Sequence, residues 1–143
     1  MSEVPSGLSM PGLERIPPRP SATLMITRAS DDGVEVLLGH RSESMPSFPG
    51  YWAFPGGGVS RVDKASSEVL GISVQHCAIL REVVEELGLA PQDGALVAVE
   101  DDFRRMVVDD KSNWFPLALD GDIPIDITGM RVISMRTTPP FGP

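Results

Sequence analysis

The stretch Arg81-Glu82-Val83-Val84-Glu85-Glu86-Leu87-Gly88-Leu89 places three carboxylates and one guanidinium within nine residues, just before a glycine. Positions three and four apart share one face of a helix, so Glu82, Glu85 and Glu86 project together. The opposite face is apolar and is formed by Ile79, Leu80, Val83, Val84 and Leu87. The spacing predicts an amphipathic helix over residues 74–87, with the glycine at the position after its end.

The acidic face of this helix has two interpretations. Glutamate clusters on helices are usually solvated surface. A surface helix commonly interleaves lysine with glutamate, however, and between Cys77 and Asp93 the only basic residue is Arg81, which stands four positions before Glu85. Because hard divalent cations favour carboxylate oxygens, acids that lack partners of opposite charge are typical of half of a Mg²⁺ or Mn²⁺ site.

A glycine-rich turn lies upstream of the helix. Phe54-Pro55-Gly56-Gly57-Gly58-Val59 follows the short apolar run Tyr51-Trp52-Ala53-Phe54. Such a turn often does no more than end a strand. Glycine also permits close approach of the backbone to a ligand or an ion, so the turn is a candidate partner of the acidic face.

The turn and the helix together resemble a known signature. The Nudix hydrolase box reads G, five residues, E, seven residues, then R-E-U-x-E-E-x-G-U with U aliphatic, and residues 81–89 match its second half at every specified position. That half is specific because it fixes seven identities or classes in nine residues. The resemblance implies a Nudix fold and an enzyme, a metal-dependent diphosphohydrolase that cleaves the diphosphate bond of a nucleoside diphosphate linked to another moiety.

The first half of the box departs from the pattern. Gly57 and Arg81 are 24 positions apart where the simple box has 14, which indicates an insertion of 10 residues within residues 60–74. Counted back from Arg81, the early glutamate of the box falls on Ser73, and Glu68 is the acid that could replace it in space. In the family that glutamate tends to support the loop and the helix, so its loss is expected to affect geometry more than activity.

A second resemblance concerns residues 37–57. The motif of the coenzyme A diphosphatase branch, L-L-T-x-R-S-x-x-x-R-x-x-x-G-x-x-x-F-P-G-G, has the spacing of this stretch, with Gly39 in place of its threonine and Pro46 in place of its second arginine. This resemblance implies coenzyme A or an acyl derivative as substrate. Hydrolysis of ADP-ribose, NADH or a modified nucleotide is the alternative within the enzyme class. A Nudix-like domain that senses a nucleotide without cleaving it is the alternative outside that class.

The family resemblance also implies roles for single residues. Glu85 and Glu86 are expected to ligate Mg²⁺ or Mn²⁺, and Glu82 to ligate a second metal ion or orient the attacking water. The carbonyl of Gly57 is expected to supply a further oxygen. Arg81 is expected to orient Glu85 and to limit repulsion among the carboxylates.

The general base and the substrate contacts are less narrowly defined. Glu82 is the predicted base, and later acids are the alternatives: Glu100, Asp101, Asp102 and Asp109. Arg41 is predicted to hold a phosphate, although it also suits the exposed end of a strand. Phe54, with Trp52, is predicted to stack on a base, although aromatic core packing is the alternative. The two histidines are predicted bystanders, because neither has a second histidine at ligand spacing.

Composition limits the function classes and the partners. A chain of 143 residues fits one domain, and a net charge of −8 argues against a nucleic-acid groove. An acidic protein still binds a nucleotide-diphosphate substrate where metal ions supply positive charge. The single cysteine excludes an intrachain disulfide and suits a reducing compartment. The chain has neither an apolar run of about 20 residues nor a signal peptide at its start, so no membrane partner and a cytoplasmic location are predicted.

Hydrophobic patterning predicts an α+β fold or an α/β/α sandwich around a mixed β-sheet. A hairpin of strands 22–27 and 34–40 turns at Asp31-Asp32-Gly33, and residues 45–50 form a loop. Other strands are predicted at residues 52–54, 96–99, 105–108, 114–117 and 130–135.

The domain organisation predicted from the sequence has two parts. Residues 1–20 carry five prolines and form an extended lead-in, and residues 21–143 form the Nudix domain. Family members ordinarily continue with another strand and a closing helix, so the C-terminal portion of the domain is expected to be missing. An uncovered sheet face would make the isolated chain unstable or associating, with a homodimer as one form.

Overall fold

The structure, a computed structural model, describes residues 17–46 and 48–137. The lead-in predicted for residues 1–20 lies outside the described residues up to residue 16, and residues 17–20 belong to no helix or strand. The described chain combines α-helices with short pairs of β-strands. This arrangement confirms the predicted α+β class.

The helices follow the glycine turn and dominate the second half of the chain. Their bounds are α1 (Arg61–Leu70), α2 (Val74–Leu87), α3 (Asp101–Asp109) and α4 (Trp114–Asp120), with a 3₁₀ turn at Lys111–Asn113. The predicted helix over residues 74–87 is confirmed as α2, which begins and ends at the predicted residues. The segment inserted into the box forms a helix of its own, α1.

The strands form four antiparallel pairs among the described residues. Their bounds are β1 (Ser21–Thr23), β2 (Thr27–Ser30), β3 (Gly33–Val36), β4 (Gly39–His40), β5 (Trp52–Ala53), β6 (Gly56–Gly58), β7 (Leu89–Gln92) and β8 (Ala95–Ala98). β1 pairs with β6, β2 with β3, β4 with β5 and β7 with β8. In place of the predicted mixed sheet, the described residues form four separate two-stranded antiparallel sheets.

The predicted strands meet different outcomes. The hairpin at Asp31-Asp32-Gly33 is confirmed as β2 and β3. The predicted strand 22–27 overlaps only the end of β1 and the start of β2, and the predicted strand 34–40 is split between β3 and β4. The strand at 96–99 is confirmed as β8, one residue earlier. Residues 45–50 lie in loop wherever they are described, which excludes Ser47. The stretch 130–135 has no regular structure, so that prediction is wrong.

Two predicted strands are helices instead. Residues 105–108 belong to α3, where Phe103 and Val107 are four positions apart and both face inward. Residues 114–117 belong to α4, where Trp114, Leu117 and Ala118 are buried at helical spacing. Pro116 lies in the first turn of α4, where proline is tolerated, whereas a proline inside a central strand is not.

The hydrophobic core joins α2 to the helices that follow it. Its buried members are Cys77, Leu80, Val84, Ala90, Val99, Val107, Trp114, Leu117, Ala118 and Ile123. The predicted apolar face of α2 is confirmed for its first four residues, which are buried, while Leu87 is half-buried. Because this side of α2 is fixed in the core, its opposite side has a defined position beside the glycine turn.

Candidate active site

The capping residues of α2 fix where its carboxylates lie. Ser73 is the N-cap, and its hydroxyl accepts a hydrogen bond from the backbone N–H of His76 at 3.1 Å. Gly88 ends the helix in the left-handed conformation (φ 65°), which glycine adopts without the penalty that a Cβ brings. The serine at the position counted for the early glutamate therefore has a structural role as a cap.

The glycine turn contacts the acidic face directly. The backbone N–H of Gly56 donates a hydrogen bond to Oε2 of Glu86 at 3.0 Å. A Cβ atom at Gly57 would overlap the carboxylate of Glu82. The predicted juxtaposition of turn and acids is therefore present, and the absence of a side chain at Gly57 is what makes room for Glu82.

Arg81 is the centre of the charge network. Its side chain is only 2% exposed, and its Nη1 lies 2.8 Å from Oε1 of Glu85 and 3.0 Å from Oε1 of Glu82. Its Nη2 also donates to the carbonyl of Gly58 at 3.3 Å. The pairing predicted between Arg81 and Glu85 is confirmed, and the guanidinium links two acids of α2 to the glycine turn.

Asp63 is the site residue that the sequence analysis missed. Its side chain, on α1, is fully buried, and its two oxygens accept from Nε and Nη2 of Arg81 at 2.8 and 2.9 Å. The same carboxylate accepts from the N–H of Ser60, and the Ser60 hydroxyl accepts from the N–H of Asp63, which closes a capping box at the start of α1. A two-bond arginine–carboxylate pair of this kind fixes orientation as well as charge.

The position of the insertion explains why the sequence did not point to Asp63 as the early acid of the box. Five residues separate Gly57 from Asp63, so an acid stands at the position of the early glutamate when the box is counted forward from its glycine. The count backward from Arg81 gave Ser73 because the insertion lies between Asp63 and Arg81. The assignment of that position to Ser73 is therefore corrected, and Glu68, which is exposed on α1, is not needed as a substitute.

The ionisation of the network follows from burial and pairing. Burial raises the pKa of Glu82, and repulsion by Glu85 and Glu86 adds to the rise while Arg81 opposes it. Burial likewise raises the pKa of Glu86, against the hydrogen bond from Gly56 and the charge of Arg41. The charged form of both carboxylates is therefore less favourable in the protein than in water.

Arg81 and Asp63 stabilise each other's charges. Burial alone would raise the pKa of Asp63, but hydrogen bonds from Arg81 and Ser60 and the charge of Arg81 bring it below its usual range. Burial alone would lower the pKa of Arg81, but its bonds to Asp63 and Glu85 raise it above its usual range. This pair remains fully charged at neutral pH.

The predicted substrate contacts have different surroundings. Arg41 is half-buried and close enough to Glu86 for its charge to lower the pKa of that carboxylate. Phe54 is partly exposed and lies two positions before Gly56. Trp52 is exposed and stacks against His40, with ring centroids 4.9 Å apart. Of the three predicted contacts, the structure brings Arg41 to the acids.

The alternative bases lie on or next to α3 and are all exposed: Glu100, Asp101, Asp102 and Asp109. Asp102 pairs with Arg105 at the surface at 3.2 Å. The two histidines make local contacts, with His40 Nε2 3.1 Å from the carbonyl of Gly50 and His76 Nδ1 2.9 Å from the hydroxyl of Ser73.

The donor chemistry of the site fits a divalent cation. Three carboxylates lie beside a glycine turn in which Gly57 leaves the space that a Cβ would fill. Within residues 17–46 and 48–137, however, no group of three or more Asp, Glu, His or Cys side chains is gathered closely enough to hold a metal ion. In the structure, Glu82 and Glu85 contact Arg81, and Glu86 accepts a hydrogen bond from Gly56. Each contact uses one oxygen of a carboxylate that has two.

A cavity of about 410 Å³ lies on the apolar side of α2. Ile79, Leu80 and Val83 line it, together with residues 24–27 and the β7–β8 hairpin. None of the three glutamates of α2 contributes to its lining. The carboxylates are therefore not part of this cavity.

The fold and the site define an α+β domain in which an acidic helix faces a glycine turn. The NUDIX domain family model matches residues 17–130 of the chain. Because this match covers well over half of the chain, the chain belongs to the Nudix family. The family consists of pyrophosphohydrolases in general, and its members generally use divalent cations such as Mg²⁺ or Mn²⁺.

A solved structure gives the same assignment of fold. The crystal structure of a NUDIX hydrolase from Alicyclobacillus acidocaldarius is similar with a TM-score of 0.60 and 21% sequence identity, over 76% of this chain and 57% of that chain. The chain thus spans less than two thirds of that protein. A comparison with curated proteins gives no match. Across the described part of the chain, no helix has the length and apolar character needed to cross a membrane.

Proposed function

We propose that the chain is a metal-dependent Nudix diphosphohydrolase that uses the acidic edge of α2. The observation that carries this proposal is the contact between the glycine turn and two of the acids, Glu86 through the N–H of Gly56 and Glu82 through the space at Gly57. A solvated surface helix has no need of such a turn against its charged face.

The residues that would hold the cation are Glu85 and Glu86, with the carbonyl of Gly57, while Glu82 would ligate a second cation or orient the attacking water. When bound, Mg²⁺ or Mn²⁺ would stabilise the negative charge on the attacking and leaving oxygens of the diphosphate. The raised pKa values of Glu82 and Glu86 support this assignment, because a bound cation would offset both the burial and the mutual repulsion that disfavour the charged carboxylates.

The other residues of the site orient and bind. Arg81 forms ion pairs with Glu82 and Glu85, and its guanidinium is oriented by a further ion pair with Asp63. Glu82 is the proposed general base, since a carboxylate with a raised pKa accepts a proton from water more readily. Arg41, whose charge reaches Glu86, is the proposed phosphate contact at the edge of the site.

Coenzyme A or an acyl derivative is the proposed substrate, on the strength of the motif in residues 37–57. A panel of substrates with Mg²⁺ and analysis of the products tests this choice. Release of 3′,5′-ADP and phosphopantetheine supports it. Absence of those products together with AMP release from ADP-ribose contradicts it and favours the alternative within the enzyme class.

Substitution of the carboxylates tests the site itself. Glu85→Gln and Glu86→Gln should each lower turnover by at least about a hundredfold, because each removes charge stabilisation of the transition state. Glu68→Gln is the matched control, since Glu68 is an exposed glutamate on the neighbouring helix. Near-wild-type rates in both α2 variants, with circular dichroism unchanged, would refute the proposed site.

A further inference from the structure

Arg104, on α3, reaches the end of the acidic helix. Its Nη2 donates to the backbone carbonyl of Glu85 at 3.2 Å and to that of Glu86 at 3.1 Å, and its Nε lies 3.4 Å from the carbonyl of Glu85. These carbonyls belong to the last turn of α2, where carbonyl groups have no partner within the helix. The guanidinium therefore binds the backbone of the two glutamates that are the proposed metal ligands.

Gly88 makes this contact sterically feasible. A Cβ atom at Gly88 would lie 2.9 Å from Cδ of Arg104, closer than side chains pack. The glycine of the Nudix box thus has a second consequence in this chain, because it leaves the room in which the arginine side chain lies. Its own N–H is used within the helix, on the carbonyls of Val83 and Val84.

The contact links two elements that the core also joins. Val107, one turn after Arg104 on α3, is buried in the cluster that includes Leu80 and Val84 of α2. The core thus fixes the distance between the helices, and Arg104 fixes the end of α2 relative to α3. A positive charge at a helix C-terminus is also favourable to the helix dipole.

We propose that Arg104 is a positioning residue of the metal site, holding the backbone from which the carboxylates of Glu85 and Glu86 project. This inference rests on the proposed function, since it requires those glutamates to be metal ligands. Among the hydrogen bonds of the described residues, those of Arg104 reach the backbone carbonyls of these glutamates and not their carboxylates.

Whether removal of Arg104 weakens or tightens metal binding distinguishes a positioning role from a purely electrostatic effect of its charge. Arg104 carries a positive charge near a site for cations, so its removal would tighten metal binding if only Coulomb forces acted. If Arg104 positions the ligands, its removal weakens binding instead. Loss of groups that orient metal ligands typically weakens metal affinity by about 10- to 100-fold.

The experiment is titration of the full chain with Mn²⁺, with free Mn²⁺ followed by electron paramagnetic resonance. Arg104→Ala should weaken Mn²⁺ binding by about tenfold. Arg104→Lys should recover part of the loss, because an ammonium group can still donate to carbonyls. Arg105→Ala is the matched control: it removes the same charge from the next position of α3, where the side chain pairs only with exposed Asp102 in the described contacts. It should bind Mn²⁺ at least as tightly as the wild type.

Three results would overturn the inference. The first is binding by Arg104→Ala as tight as the wild type or tighter, the second is equal weakening by Arg105→Ala, and the third is no recovery by Arg104→Lys. Circular dichroism at the titration temperature establishes that each variant is folded. If Arg104→Ala is not folded, the Mn²⁺ affinity of Arg104→Lys is compared with that of the wild type instead. Failure of the wild type to bind Mn²⁺ would overturn the proposed function as well, which distinguishes the two failures.

Discussion

Asp63 and Arg81 form a fully buried pair, and a buried ion whose partner is removed is costly. Asp63→Asn should therefore lower the free energy of unfolding by about 3–5 kcal/mol, because the buried guanidinium loses its only fully buried counter-charge among the described contacts and keeps the less buried Glu82 and Glu85. Urea denaturation measures this change. Asp102→Asn, which breaks the exposed pair with Arg105, should change stability by less than about 1 kcal/mol. Equal effects of the two substitutions would contradict the central place given to Asp63.

The same pair determines a pH dependence. The pKa of Asp63 is lower in the folded than in the unfolded state, so its stabilisation is present above the unfolded value and is lost as pH falls through the folded value. The stability difference between the wild type and Asp63→Asn should be constant from pH 7 to about 5 and shrink below about pH 4. Thermal unfolding across that range measures it, and a difference that does not change with pH would count against a charged Asp63.

The three glycines of the turn differ in what a methyl group would meet. Gly57→Ala displaces the carboxylate of Glu82 and should lower turnover by about a hundredfold with little loss of fold. Gly56→Ala meets the backbone of Ala22 and should unfold the β1–β6 pair. Gly58→Ala meets open space and serves as the control. Turnover and circular dichroism measured together distinguish the three, and full activity in Gly57→Ala would remove Glu82 from the mechanism.

At the scale of elements, α1 and α2 end on matched glycines. Gly71 and Gly88 are both left-handed (φ 68° and 65°), but a Cβ at Gly71 meets open space whereas one at Gly88 meets Arg104. Gly71→Ala should cost about 1 kcal/mol from backbone strain alone, and Gly88→Ala should cost more. Urea unfolding measures both.

A double-mutant cycle isolates the steric part of that difference. Adding Arg104→Ala to Gly88→Ala removes the side chain that the new methyl group meets, so the two substitutions together should cost less than the sum of their separate effects. Adding Arg104→Ala to Gly71→Ala should give additive effects, because α1 ends away from that contact. Additivity in both cycles would mean that Arg104 moves aside freely.

At the scale of the whole molecule, the most exposed apolar side chains include two groups that lie close together in sequence. Val34 and Val36 are exposed on the β2–β3 hairpin, and Val132, Ile133 and Met135 on the stretch after the core. We expect the isolated chain to associate as its concentration rises, with a dimer as the first species. Sedimentation velocity over a concentration series measures this.

Substitution within the later stretch tests the source of association. Val132→Ser with Ile133→Ser should shift the equilibrium toward monomer. Val69→Ser, which removes an exposed valine from α1 outside both apolar regions, should leave it unchanged. A chain that stays monomeric at every concentration would contradict the expectation.

The sequence by itself determined the helix that carries the site and the turn that faces it. The 3.6-residue period of the apolar side of α2 and the glycine after its end are local signals, so residues 74–87 could be assigned without tertiary structure. The pairing of Arg81 with Glu85 is equally local, since four positions on a helix bring the two side chains together.

The tertiary structure decided what lies far apart in sequence. Residues 105–108 and 114–117 resemble strands in composition, yet packing of Val107 and Trp114 into the core selects helices there. The partner of Arg81 across the insertion was likewise decided in space: α1 folds back so that Asp63, 18 positions away, meets the guanidinium. The physical reason is that local periodicity reports only on neighbours within a few residues, whereas a buried charge is neutralised by whichever opposite charge the folded chain brings beside it.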